Sequence, residues 1–462
     1  MDITEKHRTQ QETKRLENRI SSFKENFRIG TLLNNSRIRK LRGVSPLNLF
    51  TVIFMLPFEG RDFYRGIVTN PSLGFKKDAA YDFLKNPGHN WRKFLLSLSV
   101  AVARFFAYLT DEKRIKVLIF DDSTYDRCRS KAVELLAWVH DHNSGRSLKG
   151  FRMLTLGWSD GVNFLPLDFA LLSSTKAAKR VQGITKKLDK RTCGYKRRIE
   201  AMTKSTDLLE TMVKRVLYAG IRVDYILMDS WFCFPSILAK LGKHVPVICM
   251  AKDMKSTLYR YNGQKVRLKK LYSLLKKRPG RTSIPAGVIT ETTKGQLVKI
   301  VFVRHRHYKR TWLAILSTDA DLPDDEIVRI YGRRWDIEVF FKMMKHYLNL
   351  EREAQLRDYD GLIGHITITM SRYVFLAFEQ RCHDDPRTLG SLFHACSDEL
   401  QDLDFLSALQ RIMTIAIEKI RSAGVIAEDA VLAIADSVMS TAIDLLQTSR
   451  RIAAINHDTT AH

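Results

Sequence analysis

Two short apolar runs in this chain stop abruptly at aspartate, and those stops constrain the fold more than any other feature. Ile115-Lys116-Val117-Leu118-Ile119-Phe120 ends at Asp121-Asp122-Ser123-Thr124, and Tyr225-Ile226-Leu227-Met228 ends at Asp229-Ser230. Apolar runs without alternation mark central strands covered on both faces. As parallel neighbours about 4.8 Å apart, two such strands would set their terminal carboxylates side by side at one end of a sheet. Carboxylates that close repel one another and attract a divalent cation. A single aspartate after a strand is commonly a helix cap or a turn residue. The pair therefore carries more weight than either member.

A third carboxylate lies downstream. On a helix at ~100° per residue, Tyr331, Arg334, Glu338 and Lys345 fall within an arc of about 60° over roughly 21 Å. Ile330, Ile337, Phe340, Phe341 and Met344 form an apolar sector beside that stripe, able to anchor the helix to a core. Pro323-Asp324-Asp325-Glu326 supplies the proline and acids that suit its first turn. Taken alone, this pattern also fits an amphipathic helix with a solvated polar face. Together with the two aspartates it offers hard oxygen ligands, which favour Mg²⁺ or Mn²⁺ over zinc.

At full spacing, Tyr331, Arg334, Glu338 and Lys345 resemble the Tyr-x2-Arg-x3-Glu-x6-Lys signature of DDE transposases from bacterial insertion sequences. Arg334-Trp335-x-Ile337-Glu338 and Phe341-Lys342 are similar to the surrounding family pattern, and Asp229 resembles its second aspartate. Asp122-Ser123-Thr124 resembles the first aspartate motif. Strand alternation sends Asp121 and Asp122 to opposite faces, and alignment of the Asp-Ser-Thr triplet favours Asp122. The resemblance spans roughly residues 112–380.

The resemblance implies an α/β fold, an RNase H-like mixed-sheet core with a β-rich insertion before the catalytic glutamate. It implies metal-dependent DNA cleavage and strand transfer at insertion-sequence ends. Asp122, Asp229 and Glu338 would be catalytic and hold two Mg²⁺ (or Mn²⁺) ions. Tyr331, Arg334 and Lys345 would bind DNA phosphates. Excision in this branch of the family often passes through a DNA hairpin, and a bend so tight needs an extruded base with an aromatic to receive it. Trp312, the only tryptophan between Trp231 and Trp335, is the candidate for base stacking, and a place in a strand core would explain it equally well. The implied partner is double-stranded DNA, both terminal inverted repeats and target, bound by a homodimer on paired ends. Two alternatives are a catalytically inactive transposase-derived DNA-binding protein and a related RNase H-like nuclease that cleaves without joining.

Charge agrees with a polyanion partner. The formal net charge is +26, yet residues 371–462 hold 8 Lys+Arg against 13 Asp+Glu, so the basicity belongs to the rest of the chain. Residues 176–198 carry ten Lys+Arg with one aspartate, and 252–282 carry eleven with only Asp253. Such surfaces make DNA affinity fall steeply with salt. The apolar stretches at 47–56 and 94–109 fall short of the ~20 residues that span a bilayer. Six cysteines without a CxxC pair, and a polar N-terminus of mixed charge, fit a reducing cytoplasm, with nucleoid association expected. His140 and His142 have no matching ligand cluster and read as loop or helix-end residues, while His305 and His307 add to a basic run at 304–310.

Three regions are expected. Residues 1–111 form a helical N-terminal DNA-binding region, with helices at 46–56, 78–84 and 91–109. Residues 112–380 form the catalytic domain, its insertion at about 252–320, and residues 381–462 a helical C-terminal region. Within the middle region, Asp160-Gly161 marks a hairpin between strands at 151–158 and 163–172. Helices follow at 205–218 and 235–241, with strands at 245–250, 286–290, 297–304 and 311–317. Further helices are expected at 359–380, 389–421 and 427–451.

Overall fold

The two aspartate-ended runs become strands β1 (Val117–Asp126) and β5 (Tyr225–Met228), and they are parallel neighbours as expected. Their pairing runs from Val117 opposite Tyr225 to Phe120 opposite Met228, so the next residues are Asp121, still within β1, and Asp229, just past the end of β5. In the computed structural model, the described residues are 19–382, except 41, 59–60, 71–72, 111–112, 142–144, 281 and 305–310. The chain divides into two units after Asp384, and everything described belongs to the first. The helices expected at 389–421 and 427–451, and His142, His305 and His307, lie outside the described residues.

Around β1 and β5 the sheet has the mixed RNase H-like arrangement. Strand β3 (Arg146–Ser159) is antiparallel to β1, and β4 (Phe164–Leu172) is antiparallel to β3. The expected hairpin turn is present, with Gly161 at φ 84°, a left-handed conformation that glycine adopts without strain. Strand β6 (Val247–Ala251) runs parallel to β5 on its other side. A short strand, β2 (Ala137–Asp141), pairs with the first part of β3 and had no clear sequence signal. The insertion strands extend this same sheet. Strand β11 (Trp312–Ser317) adds antiparallel to β6, followed outward by β10 (Leu297–Arg304), β9 (Ala286–Thr292), β7 (Tyr259–Tyr261) and β8 (Gln264–Val266).

The N-terminal helices are α1 (Ile29–Asn35), α2 (Pro46–Met55), α3 (Lys77–Lys85) and α4 (Trp91–Tyr108). Ser45 caps α2 by accepting from the Asn48 N–H at 3.2 Å, and Asn90 caps α4 by accepting from the Lys93 N–H at 3.1 Å. Helices α5 (Cys193–Ala201), α6 (Ser205–Tyr218) and α7 (Pro235–Leu241) accompany the core strands, and α8 (Leu268–Leu274) lies within the insertion. Toward the end come α9 (Asp324–Gly332), α10 (Trp335–His346) and α11 (Tyr359–Cys382).

Helix α11 is long and apolar enough to cross a membrane, although His365, Arg372 and several hydroxyls punctuate it. Its most apolar window is 94% buried, which makes it a core helix here. It packs on α2, α3, α4, α10 and β4, with Phe375 at 5.3 Å from Phe23 and 5.9 Å from Phe54 between ring centres. Arg372, fully buried, pairs with Glu353 and donates to the carbonyls of Ile53 and Phe54, at the end of α2. A second buried network changes the reading of the basic run at 176–198. Arg198 bonds Glu134 and Asp360 at 2.7 Å each, and Arg197 bonds Asp360 at 2.5 Å. These two cations hold α5 and α11 together and take no part in a phosphate-facing surface.

Candidate active site

The stripe expected on one continuous helix is carried by two. Helix α9 ends at Gly332 and α10 begins at Trp335. Between them Arg333 and Arg334 keep helical dihedrals, but their N–H groups bond three residues back, to Ile330 and Tyr331, at 3.1 and 2.9 Å. This tightened turn follows the glycine, the weakest helix former of the stretch. The Arg333 guanidinium anchors the junction by donating to the Ile115 carbonyl, just before β1.

From that junction α10 lies along β1, with its apolar side fixed to the core. Ile337, Phe340, Phe341 and Met344 are buried, and the Phe340 ring meets Phe164 at 5.0 Å and Tyr373 at 4.9 Å. The polar side meets β1 and its neighbour β3. Ser159 donates to Asp336 at 2.6 Å, and burial pushes the Asp336 carboxyl up to about 6. Lys345 donates to the Thr124 carbonyl at 2.6 Å. Between these contacts, Arg334 pairs with Asp121 at 3.1 Å and with Glu338 on its own helix. Tyr331 is 8% exposed, and burial pushes its hydroxyl well up, with Arg334 opposing and Asp229 adding to the shift.

Asp121, Asp229, Arg334 and Glu338 thus form one electrostatic group where β1 and β5 part. Burial pushes the Asp121 carboxyl up to about 7, and the nearby Asp122 and Asp229 charges add to that while Arg334 opposes it. Asp122 turns to the opposite face of the strand. Its carboxylate pairs with Arg152 of β3 at 3.2 Å, and the Arg152 guanidinium lies 5.9 Å from the Trp231 ring centre. The structure brings Asp121, and not Asp122, to the Arg334–Glu338 pair. One sequence signal pointed there: Asp121 and Asp229 are each the first residue beyond their apolar run, and in-register residues of parallel strands share a face.

The donor set suits a hard divalent ion. It consists of carboxylate oxygens from the middle of β1, the residue after β5 and a helix, with one carboxyl raised by burial and like charge that a cation would relieve. Among the described residues no three His, Cys, Asp or Glu side chains already converge as ligands, and Arg334 is the cation between Asp121 and Glu338.

Trp312 is half-buried in an aromatic cluster, 4.8 Å from Tyr272 and 5.0 Å from Phe302. One edge of that cluster lines a cleft of about 530 Å³ that also includes Ser230, Lys252 and Lys269. Nothing in the local spacing of Tyr272 marks it as a neighbour of Trp312, or of Arg152 as the partner of Asp122.

No curated protein matches the chain. The family model of the DDE superfamily endonucleases matches residues 47–298, from α2 through the carboxylate strands to β10, and ends before the Tyr331–Lys345 stripe. That match covers more than half of the 462 residues, and the chain belongs to the DDE superfamily endonucleases.

Proposed function

We propose that this endonuclease is an insertion-sequence transposase, which cleaves DNA at the element's ends and joins the freed 3′ ends to a new site. Asp121, Asp229 and Glu338 form its carboxylate set, with Asp121 in the place that the Asp-Ser-Thr alignment gave to Asp122. The observation that carries this is the Arg334 bridge, which ties Asp121 on β1 to Glu338 on α10 beside Asp229. Bound on these oxygens, Mg²⁺ or Mn²⁺ would supply the charge that activates water or a 3′-hydroxyl and stabilises the leaving oxygen.

The chain's own residues do the rest. Asp121, Asp229 and Glu338 fix the reacting centre at the open end of the β1–β5 pair. Arg334 balances their charge in the free protein and is placed to grip a DNA phosphate when they turn to an ion. The Tyr331 hydroxyl, buried beside Arg334, serves as a hydrogen-bond donor. Lys345, 28% exposed at the end of the same helix, extends the cationic line toward the DNA. Trp312 offers a ring face for an extruded base at the cleft beside Ser230. Two ends must be brought together, so a homodimer on paired ends is the working assembly.

A labelled duplex carrying the element's own end, with Mg²⁺ and with Glu338→Gln beside the wild type, tests this reading. Nicking followed by joining or hairpin formation, abolished in the variant, supports it. Cleavage without joining would make the protein a nuclease on the same fold. Specific binding without cleavage, in Mn²⁺ as well, would make it an inactive DNA binder.

A further inference from the structure

A second cleft opens beside Arg152, the partner of Asp122, and we infer that it receives an unpaired nucleotide of the DNA strand engaged at the carboxylates. The inference rests on the reading of this protein as a DNA-cleaving enzyme and adds a site to it. The cleft has a volume of about 580 Å³, ample for one nucleotide. Its walls carry two tryptophans, Trp138 of β2 and Trp231, each 49% exposed. A single exposed aromatic is unremarkable on a protein surface, but two lining one cleft form a stacking platform.

The rest of the lining suits the other parts of a nucleotide. Arg152 lies against the Trp231 ring and is held by Asp122. Lys179, Lys204 and Lys240 bring three further cations, for phosphate oxygens. Thr175 adds a side chain just past the end of β4, where the Ser173 hydroxyl donates to the Leu135 carbonyl and Ser174 accepts from the Lys176 N–H. Flat aromatic faces beside a cationic track are what single-stranded nucleic acid requires, and the contact is sequence-tolerant because every base has a π-face. A purely anionic ligand would leave the two indoles without a role.

Position links this cleft to the chemistry. Trp231 follows Asp229 by two residues, in the short turn that also holds Ser230. Asp121 and Asp122 are consecutive on β1, one facing Arg334 and the other Arg152. A strand passing where β1 and β5 part would have its phosphate beside Asp121 and a neighbouring base beside Arg152. Asp122 is then a positioning residue, orienting Arg152 beneath the base. Trp312 lies in a different cleft and is independent of this one.

The test uses the full-length protein and fluorescence anisotropy with two labelled DNAs, a blunt duplex and the same duplex with a short single-stranded overhang. The comparison variants are Trp138→Ala/Trp231→Ala, Trp231→Phe and Trp312→Ala, each checked for folding by its melting midpoint. Wild type should prefer the overhang. The double variant should lose roughly tenfold or more in overhang affinity, the loss of a stacked base, with blunt-duplex affinity changed by less than about threefold. Trp231→Phe should retain most of the affinity, because a ring remains. If the double variant binds the overhang as wild type does, while both bind blunt DNA, the cleft is not a nucleotide site and the transposase reading stands. If wild type binds neither DNA, both fail.

Discussion

Arg334 pairs with Asp121 at 3.1 Å, while Asp122, the very next residue, pairs with Arg152 on the other face of the strand. One strand therefore presents two carboxylates to two different sites. The face that holds Glu338 and senses Asp229 is the face of Asp121.

Arg334 and a divalent ion would compete for the same oxygens, so their effects on stability should be coupled. Arg334→Ala should melt a few degrees below wild type without metal, because Asp121 and Glu338 lose their shared cation. Millimolar Mg²⁺ should restore most of that difference, through binding to the native state alone. Thermal melts with and without Mg²⁺ check this, and an equal Mg²⁺ shift in both proteins would count against a shared site.

Gly157 supports the site from behind. It lies at a register shift in the β3–β4 pair, and a Cβ there would come within 1.9 Å of the Phe164 ring, which packs on Phe340 of α10. Gly157→Ala should destabilise the protein by about 1–3 kcal/mol through overpacking. It should also slow cleavage by displacing the helix that bears Glu338. Denaturant melts and single-turnover rates measure the two effects, and loss of stability with an unchanged rate would show that the helix is held elsewhere.

Glu353 gives the fold a defined acid limit. Burial alone would raise its carboxyl, but Arg372 and His365 hold it down to about 2, from an ordinary value of 4.5. A carboxyl depressed in the folded state contributes stability that is present above pH ~4.5 and is lost as pH falls toward ~2. Glu353→Gln leaves Arg372 buried without its counter-charge and should cost about 3–5 kcal/mol near neutrality. The difference from wild type should narrow between pH 4.5 and 2 in urea melts followed by circular dichroism. A difference independent of pH would mean that packing, and not the ion pair, ties α11 to α2.

Much of this fold was legible because its central strands are apolar enough to be read without alternation, and because helices such as 205–218 carry an unbroken apolar stripe. The hairpin at Asp160-Gly161 was legible for the same local reason, since its turn demands a left-handed residue. What escaped depended on long-range contact. Arg197 and Arg198 read as surface charge until Glu134 and Asp360, distant in sequence, are brought beside them. Strand β2 is short and mixed in polarity, and α11 hides its apolar character behind polar groups that the interior satisfies. In the candidate site, the residue types and the opposite facing of Asp121 and Asp122 were legible, and which of the two meets Arg334 and Glu338 was not. The Asp-Ser-Thr triplet pointed to Asp122, whereas the register of β1 with β5 brings Asp121 level with Asp229. The break at Arg333–Arg334 likewise rests on tertiary anchoring, through Arg333 and the Ile115 carbonyl.

In the proposed transposase, Asp121, and not Asp122, completes the carboxylate set with Asp229 and Glu338. Single-turnover nicking of an element-end duplex with Mg²⁺, comparing Asp121→Asn with Asp122→Asn, tests it most directly. Asp121→Asn should lose roughly a thousandfold or more, an effect on the scale of removing a principal charge-stabilising group, and Asp122→Asn no more than about tenfold. The reverse order would contradict it, moving the reacting centre to the Arg152 face of the strand.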